Sequence, residues 1–445
     1  MTQLLRPPLT AADVHPALSA AMLADGFGLV ADLAASQGSR LVDALTGEAY
    51  LDLFSFFASG ALGLNHPALT DPAAMAELGR AAVHKPSNSD VYTVAMAEFV
   101  VTFQRVAGDP RLGRHFFIEG GAPAVENALK TAFDFKSRLN ESQGRSPDLG
   151  AQILHLTDAF HGRTGYTMSL TNTDPVKTAR YPKFAWPRVT SPYLGTRRDG
   201  TPRDAEALER QALAEAEAAF AAHPHDIAAF IAEPIQCEGG DHHLSGRFLR
   251  QMQDLAHANE SLFIVDEVQT GLGMTGTMWA YQQLGLEPDI VAFGKKSQVC
   301  GIMAGGLVEA VADNVFQVRS RLNSTWGGDL TDMVRARRIL EVIESDHLVE
   351  RAADLGQWFG EALSDLAERH PLATDPRGRG LLRAVSLPSP EIRAEAIRRL
   401  WDRRVVIAGC GDRTIRFRPA LTVTRDDLAE GLDHLDAVLA ELERA

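Results

Sequence analysis

Two adjacent lysines, Lys295 and Lys296, follow a short apolar run in the stretch DIVAFGKKSQVCGIMAGG at 289–306. A lysine at the end of a buried strand has a lowered pKa, because burial disfavours the charged ammonium form. A neutral lysine amine is a nucleophile that attacks carbonyl carbons. The stretch therefore predicts carbonyl chemistry at one of the two lysines. Strand alternation does not choose between them, since a parallel strand is buried on both faces.

Three further features of the sequence suit the same chemistry. Asp266 ends the apolar run in FIVDEVQ, Gly121 and Ala122 lie in the glycine-rich turn of EGGAPAVENALK, and Phe160 lies in DAFHGR. A lysine binds an aldehyde, a carboxylate keeps a pyridine nitrogen protonated, a helix start binds phosphate, and an aromatic side chain stacks on a flat ring. Pyridoxal 5'-phosphate has all four of these parts, so the combination predicts a site for it.

Short apolar runs alternate with amphipathic stretches along the middle of the chain, which is typical of parallel βα units. The predicted strands are 114–120, 152–158, 227–235, 261–267 and 289–294, and the predicted helices are 124–139, 201–223 and 246–260. A capping box of Thr201 and Asp204, with Pro202 at the first position, is expected to begin the second helix. Because ligands of open α/β sheets bind beyond the carboxyl ends of the strands, we expect these strand ends to form one crevice.

The outer parts of the chain differ from its middle. After Asp329 long helical segments predominate, and the last one, at 424–445, carries leucines on one face behind a Thr424 cap. We expect residues 71–330 to form a large cofactor-binding domain. Residues 1–70 and 331–445 are expected to join as a smaller α+β domain.

Composition excludes several classes of partner. The formal net charge is -14, which repels nucleic acid and anionic membranes. The chain has 3 cysteines without paired spacing, which fits a reduced compartment. No run approaches the roughly 18 apolar residues of a membrane span, and the N-terminus has no apolar signal core. We therefore expect a cytoplasmic protein that binds small molecules, with no nucleic-acid or membrane partner.

The motifs GGAPAVENALK, AFHGRT, AEPIQCEGG, FIVDEVQTGLGMTG, DIVAFGKK and STWGGD resemble those of class III aminotransferases of fold-type I. The similarity extends from 41–69 to 415–424. Within the class, 85–100 and the stretches that contain Gly121 and Lys295 are most similar to L-lysine 6-aminotransferases. The resemblance implies an α/β fold with a mostly parallel seven-stranded sheet in the large domain, a small α+β domain from both chain ends, and a pyridoxal-phosphate cofactor.

The resemblance also implies a role for each matching residue. It assigns the Schiff base with the cofactor to Lys295, while Lys296, in a position where lysines are usually solvated, is expected to be structural or electrostatic. The other implied contacts are Asp266 with the pyridine nitrogen, Gln269 with the phenolic oxygen, Gly121 and Ala122 with the phosphate, and Phe160 with the ring face. Thr325 resembles the hydroxyl that reaches the phosphate from the partner subunit, so a homodimer with shared active sites is expected.

Two arginines are expected to bind substrate carboxylates, because the planar guanidinium suits a carboxylate. By resemblance, Arg163 binds the carboxylate far from the reacting carbon, and Arg416 binds the α-carboxylate of 2-oxoglutarate. Glu238 is expected to pair with Arg416 while an ω-amine donor is bound, which makes the two residues a switch. Asn323 is expected to contact the substrate from the neighbouring subunit. The implied reaction moves the ε-amino group of L-lysine to 2-oxoglutarate, giving L-glutamate and 2-aminoadipate 6-semialdehyde, which cyclises to piperideine-6-carboxylate.

Alternatives remain at this stage. Another ω-amine donor, 4-aminobutyrate, ornithine or acetylornithine, is possible, although Phe57 stands where ornithine aminotransferases have a substrate-binding tyrosine. An aminomutase or racemase needs no second carboxylate clamp. An NAD-dependent dehydrogenase is suggested by GLGMTG at 271–276, but no clear helix begins at its second glycine, and the nearest acid, Asp289, precedes the next strand.

Other polar residues are interpreted as structural. Four histidines in polar stretches are expected to be solvated loop residues and not metal ligands, since they lack helical spacing and nearby cysteines: His223, His225, His242 and His243. His161 is expected to pack or orient groups beside the cofactor. Arg418 is expected to be structural or exposed, and Glu267 to form a salt bridge in the site wall.

Overall fold

The computed structural model describes residues 8–197 and 201–444. Within these ranges the central sheet has seven strands, in the spatial order Arg114–Ile118, Cys300–Ala304, Ile290–Phe293, Leu262–Asp266, Ile227–Ala232, Gln152–Leu156 and Arg188–Val189. The strand Cys300–Ala304 is antiparallel to both neighbours, and the other pairings are parallel. The predicted α/β fold with a mostly parallel seven-stranded sheet is confirmed.

The central strands form where the sequence has uninterrupted apolar runs. Every residue of Ile227–Ala232 and of Leu262–Asp266 is buried, as expected of parallel strands that are covered on both faces. The strand predicted at 227–235 ends at Ala232, because Ile235 belongs with Gln236 to a separate short strand that pairs with His242–His243. Pro234 lies at the break, where its missing N–H cannot continue a ladder.

Helices cover both faces of the sheet. On one face Val125 and Leu129 of the helix Gly121–Ser142 pack with Ile153 and Ile264. On the other face Phe230, Phe263 and the neighbouring core residues pack against four helices, which are Val94–Val106, Ala205–Ala222, Gly246–Ala258 and Leu330–Ser345. Adjacent strand residues such as Phe263 and Ile264 thus enter different cores, which fixes the sheet between two helical layers.

Two helix starts differ from the prediction. The helix expected at 201–223 begins at Ala205, because the Asp204 carboxylate accepts the Ala207 N–H at 3.0 Å and caps it, while Pro202 forms a β-bridge with Thr196. The capping box that began at Thr201 is therefore wrong. The helix expected at 124–139 begins earlier, at Gly121, after Gly120 with a φ of 93°. A proline is tolerated in that first turn because the first N–H groups of a helix have no partner within it.

The outer parts of the chain share a second body of structure. A four-stranded sheet has the order Ala31–Gln37, Arg40–Asp43, Ala49–Asp52 and Val405–Val406, and another has the order Thr374–Arg379, Leu382–Ser386, Thr414–Phe417 and Ala408–Cys410. The helices of this part are Leu348–Arg369, Pro390–Asp402 and Arg425–Arg444, the last one behind Thr424 as predicted. Residues from both chain ends therefore lie in one sheet. The domain bounds 1–70, 71–330 and 331–445 stay a prediction, and residues 1–7 lie outside the described ranges.

Shorter elements complete the fold. They are the helices Val14–Ser19, Pro67–Thr70, Pro72–Ala82, Gly165–Leu170, Pro175–Thr178, Cys237–Gly240, Ala280–Leu284 and Leu307–Ala310, and the 3-10 turns Ala11–Asp13 and Lys295–Ser297. Among the described residues, no helix combines the length and the apolar character that a membrane crossing requires.

Candidate active site

The carboxyl ends of the central strands border one cavity of about 290 Å³. Its lining includes six of the residues that the sequence assigned to the cofactor, which are Gly121, Ala122, Phe160, Asp266, Gln269 and Lys295. Arg163, His161, Gly162, Glu233 and Val268 complete the wall. The strand-end argument thus correctly predicted that these residues surround one cavity. Thr325 is exposed and does not line this cavity.

The adjacent lysines Lys295 and Lys296 lie in different environments. Lys295 lines the cavity, and burial together with the charge of Arg416 lowers the pKa of its amine to about 8. The preceding Gly294 is closely packed, since a Cβ at that position would lie 2.9 Å from the Cys300 sulfur. Lys296 is not solvated: it is fully buried, and its Nζ donates to the carbonyl oxygens of Gln269 at 2.9 Å and Ala58 at 3.4 Å. Lys295 is the lysine that faces the cavity.

Asp266 is held firmly at the end of its strand. Its Oδ1 accepts the Val268 N–H at 3.0 Å, and its Oδ2 lies 2.8 Å from Nδ1 of the buried His161. Two contacts on opposite oxygens fix the direction of the carboxylate. The contact of His161 is one of orientation, which is one of the two roles the sequence suggested for it.

A buried carboxylate that the sequence analysis did not single out, Glu233, supports the aromatic wall. Its two oxygens accept the Phe160 N–H at 2.9 Å and the Cys237 N–H at 3.3 Å. Burial, and then the charge of Asp266, raises the pKa of Glu233 well above its ordinary value. In the sequence, Glu233 is indicated by its position, as a carboxylate directly after the fully apolar run IAAFIA.

The start of the helix Gly121–Ser142 forms a narrow cradle. A Cβ at Gly121 would lie 2.8 Å from a Val268 methyl carbon, and a Cβ at Gly162, where φ is 122°, would lie 2.4 Å from the Ala122 Cβ. A side chain at either position would clash with its neighbour, and Gly121, Ala122 and Gly162 all line the cavity, so the helix start borders it directly. A helix N-terminus with free N–H groups attracts phosphate.

Arg416 and Glu238 form a partly buried ion pair whose charges act on Lys295. Arg416 is 2% exposed, and its Nη1 lies 3.1 Å from Oε2 of Glu238. The pairing is incomplete, because Nη1 of Arg416 meets Glu238 outside hydrogen-bond geometry and Nε has no hydrogen-bond partner among the described residues. Burial acts to raise the pKa of Glu238, but the charges of Arg416 and Lys177 outweigh it and leave that pKa below its ordinary value. The guanidinium has capacity for a second carboxylate.

Phe57 lies next to this pair on an unusual turn. The Arg416 guanidinium carbon is 5.3 Å from the centre of the Phe57 ring. All residues of the turn Ser55–Ala58 have positive φ values, which costs energy for residues with a side chain. Oδ1 of Asp52 offsets part of that cost by accepting the N–H groups of Phe54 and Ser55 at 2.9 and 2.7 Å.

Of the two alternatives predicted for Arg418, structural or exposed, the structure agrees with the first: Arg418 is buried and pairs with Asp241, and its Nε donates to Oε1 of Gln269 at 3.0 Å, so it positions that side chain. The expectation for Glu267 needs correction. Glu267, which was expected to form a salt bridge, forms none among the described residues, because its neighbours are neutral donors. It accepts hydrogen bonds from the Thr270 hydroxyl and the Tyr281 N–H. Burial raises the pKa of Glu267 to about 7.

Two of the four histidines expected to be solvated are not. His242 stacks on Tyr193 with ring centres 3.5 Å apart, and His243 is buried in the short strand paired with Ile235–Gln236. The stretch 271–276 precedes only the five-residue helix Ala280–Leu284, so it lacks the long helix of a dinucleotide site.

A lysine of lowered pKa, a fixed carboxylate, an aromatic wall and a glycine-lined helix start therefore meet in one cavity, at the strand ends of a mostly parallel sheet. These residues fit pyridoxal phosphate, part by part. The fold and the site together define a fold-type I enzyme of this cofactor.

Comparisons with known proteins agree. The family model of the class-III aminotransferases matches residues 26–439. The L-lysine-epsilon aminotransferase of Mycobacterium tuberculosis is 58% identical over 441 residues, covering 98% of this chain and 96% of the relative. That of Streptomyces clavuligerus is 56% identical over 434 residues, covering 96% and 94%. The solved lysine aminotransferase from M. tuberculosis in its internal aldimine form has 57% identity and a TM-score of 0.95, with 98% and 100% coverage. The chain belongs to the class-III aminotransferases and is a pyridoxal-phosphate-dependent enzyme.

Proposed function

We propose that this aminotransferase moves the ε-amino group of L-lysine to 2-oxoglutarate, giving L-glutamate and 2-aminoadipate 6-semialdehyde, which cyclises to piperideine-6-carboxylate. The Arg416–Glu238 ion pair near Lys295 carries the proposal, because it suits alternating substrates with and without a second carboxylate. The names of the relatives at 56% and 58% identity support lysine as the donor.

The bound cofactor supplies an aldehyde for the amine and a protonated ring that withdraws electrons from the substrate carbon. Lys295 would bind the aldehyde carbon, and once a substrate amine has displaced it, its free Nζ, with a pKa of about 8, could accept and return a proton. Asp266 would keep the ring nitrogen protonated, and His161 orients the Asp266 carboxylate. The remaining contacts are those of Gln269 with the phenolic oxygen, Phe160 with the ring face, and Gly121 and Ala122 with the phosphate.

Arg163 and Arg416 are proposed to bind the two ends of the substrates. Arg163 is exposed at the wall of the cavity, where it can receive the α-carboxylate of lysine or the distal carboxylate of 2-oxoglutarate. Arg416 takes the α-carboxylate of 2-oxoglutarate. While lysine is bound, its methylene chain faces Arg416, and Glu238 neutralises a cation that burial makes costly to leave alone.

Phe57 is proposed to favour lysine over ornithine. Its ring lies against Arg416, is 48% exposed and offers no hydroxyl to a second polar group of a donor. A longer methylene chain gains from contact with this ring. Donors such as 4-aminobutyrate and acetylornithine remain the principal alternatives, and an aminomutase or racemase is disfavoured because it needs no pair such as Arg416 and Glu238.

A homodimer with shared active sites is part of the proposal. Thr325 and Asn323 are exposed, and neither lines the cofactor cavity of its own chain. We propose that in the dimer Thr325 reaches the phosphate, and Asn323 the substrate, of the neighbouring subunit. The three cysteines, Cys237, Cys300 and Cys410, are free and buried, which supports a cytoplasmic location.

A panel of amine donors with 2-oxoglutarate tests the donor. Glutamate is scored for every donor, and the cyclic imine is trapped for lysine. We expect the highest kcat/KM with L-lysine. Turnover with ornithine or 4-aminobutyrate but not with lysine would overturn the substrate and leave the family unaffected.

A further inference from the structure

Glu238 has a second cationic partner that no motif pointed to. Lys177, on the short helix Pro175–Thr178, donates from Nζ to Oε1 of Glu238 at 2.5 Å. The opposite oxygen, Oε2, faces Arg416. The carboxylate is therefore shared between two cations, one on each oxygen, and these lie 61 residues and more from it in the sequence.

The position of Lys177 is well defined. The Asp174 carboxylate accepts the Val176 N–H at 2.9 Å, and Pro175 begins the turn. The Lys177 side chain is 17% exposed, and its Nζ lies 5.6 Å from the centre of the Phe160 ring. The ammonium group is thus held at the edge of the cofactor site and is not a mobile surface charge.

Glu238 has room to move without losing this contact. Lys177 and Glu238 both line a polar cavity of about 700 Å³, which therefore adjoins the Arg416–Glu238 pair. The other charged side chains of its wall include Arg203, Arg377 and Arg413 and the carboxylates of Asp158 and Asp375. A change in the Glu238 side-chain torsions into this cavity would move Oε2 away from Arg416 while Oε1 could stay bonded to Lys177.

We propose that Lys177 is a positioning residue for the acceptor half of the reaction, since it holds Glu238 when Arg416 turns to 2-oxoglutarate. The proposal rests on the Glu238–Arg416 switch proposed above. Among the described residues Glu238 forms ion pairs with Lys177 and Arg416 and with none of the arginines of this cavity. Without Lys177, a displaced Glu238 would therefore have no cation in contact, so it would stay on Arg416 and compete with the incoming carboxylate. Lysine binding does not require displacement and is unaffected.

The test is Lys177→Met in the holoenzyme, with the two half-reactions followed separately by stopped-flow absorbance. Loss of one charge-assisted hydrogen bond predicts a rise of about tenfold in the apparent Kd for 2-oxoglutarate. The rate of the lysine half-reaction should stay within about twofold of wild type, a change well below that expected from loss of one such hydrogen bond. Calorimetric binding of glutarate, a dicarboxylate that cannot react, should weaken by the same factor as 2-oxoglutarate.

Control variants separate this role from a structural one. Lys177→Arg keeps the charge and should restore acceptor binding. Lys183→Met removes a neighbouring lysine that donates to the Thr178 carbonyl oxygen, not to Glu238, and should change neither half-reaction. Equal losses in both half-reactions of Lys177→Met, or no recovery with Lys177→Arg, would overturn the proposal. If Lys177→Met does not fold, Lys177→Gln replaces it.

Glu238→Gln distinguishes this proposal from the switch itself. In the Glu238→Gln background, Lys177→Met should have little further effect on acceptor binding, because there is no carboxylate to hold. If Glu238→Gln leaves the balance between donor and acceptor unchanged, the switch is wrong. If Glu238→Gln changes that balance and Lys177→Met alone does not, only the role of Lys177 is wrong.

Discussion

Replacing Glu238 by glutamine removes the negative charge that faces Arg416 while it keeps the size of the side chain. In the wild type, Oε2 of Glu238 lies 3.1 Å from Arg416 Nη1, and the arginine is 2% exposed. In the variant, Arg416 stays buried beside the methylene chain of lysine without a counter-ion. A donor with a second carboxylate, such as L-glutamate, supplies that counter-ion itself.

The size of the effect follows from this geometry. Two unit charges 3.1 Å apart attract each other by about 5 kcal/mol at an effective dielectric constant of about 20. Solvent weakens this attraction, since the Glu238 side chain is 24% exposed. Lys177 weakens it further, because it already neutralises part of the Glu238 charge. A remaining preference of about 2 kcal/mol corresponds to a change of about 30-fold in relative kcat/KM.

The assay measures kcat/KM for the half-reactions of L-lysine and of L-glutamate with wild type and Glu238→Gln. We expect the lysine-to-glutamate ratio to fall by about 30-fold, in keeping with a 2 kcal/mol preference. Glu215→Gln is a matched control, because Glu215 accepts from Thr190 and Gln211 and does not contact Arg416. A ratio that does not change in Glu238→Gln would refute the electrostatic argument.

Three further outcomes are expected. Lys295→Ala is expected to lose the cofactor absorbance and all turnover. Lys296→Met is expected to keep the absorbance but to lower the free energy of unfolding, measured by denaturant titration, by about 1–3 kcal/mol, because two buried carbonyl groups lose their donor. The reverse pattern would exchange the two roles. Asp266→Asn keeps bound cofactor but slows turnover by about 100-fold, as steady-state assays should detect, because a charged partner of the ring nitrogen is lost. The rate at which the apoenzyme binds added cofactor is expected to rise as the pH passes through about 8, since the neutral Lys295 amine is the reactive form. In Arg416→Met the midpoint of this pH profile should move to higher pH, because a cation that lowers the pKa of Lys295 is gone. An unchanged midpoint would show that Arg416 does not lower this pKa.

Local sequence signals predicted the fold and most of the cavity wall. The apolar runs that end in Asp266 and Gly294 are parallel strands, and their polar ends meet as the topology of such sheets requires. Helix starts were less certain, because Thr201, Pro202 and Asp204 all favour a helix start and only the Asp204 cap forms.

Contacts between distant parts of the chain could not be predicted from local patterns. Glu233 supports Phe160 from 73 residues away, and neither residue indicates the other in the sequence. The choice between Lys295 and Lys296 depends on which amine is enclosed behind the Gln269 carbonyl, a question of packing and not of residue type. The roles of Thr325 and Asn323 depend on a second chain, so they stay predictions.

Isotope transfer from nitrogen-labelled lysine tests the central claim most directly. The enzyme is incubated with 2-oxoglutarate and with L-lysine that carries nitrogen-15 on either the ε or the α nitrogen, and glutamate is analysed by mass spectrometry. We predict that glutamate takes up the label from the ε nitrogen and none from the α nitrogen. Label from the α nitrogen, or no labelled glutamate from either substrate, would contradict the proposed reaction.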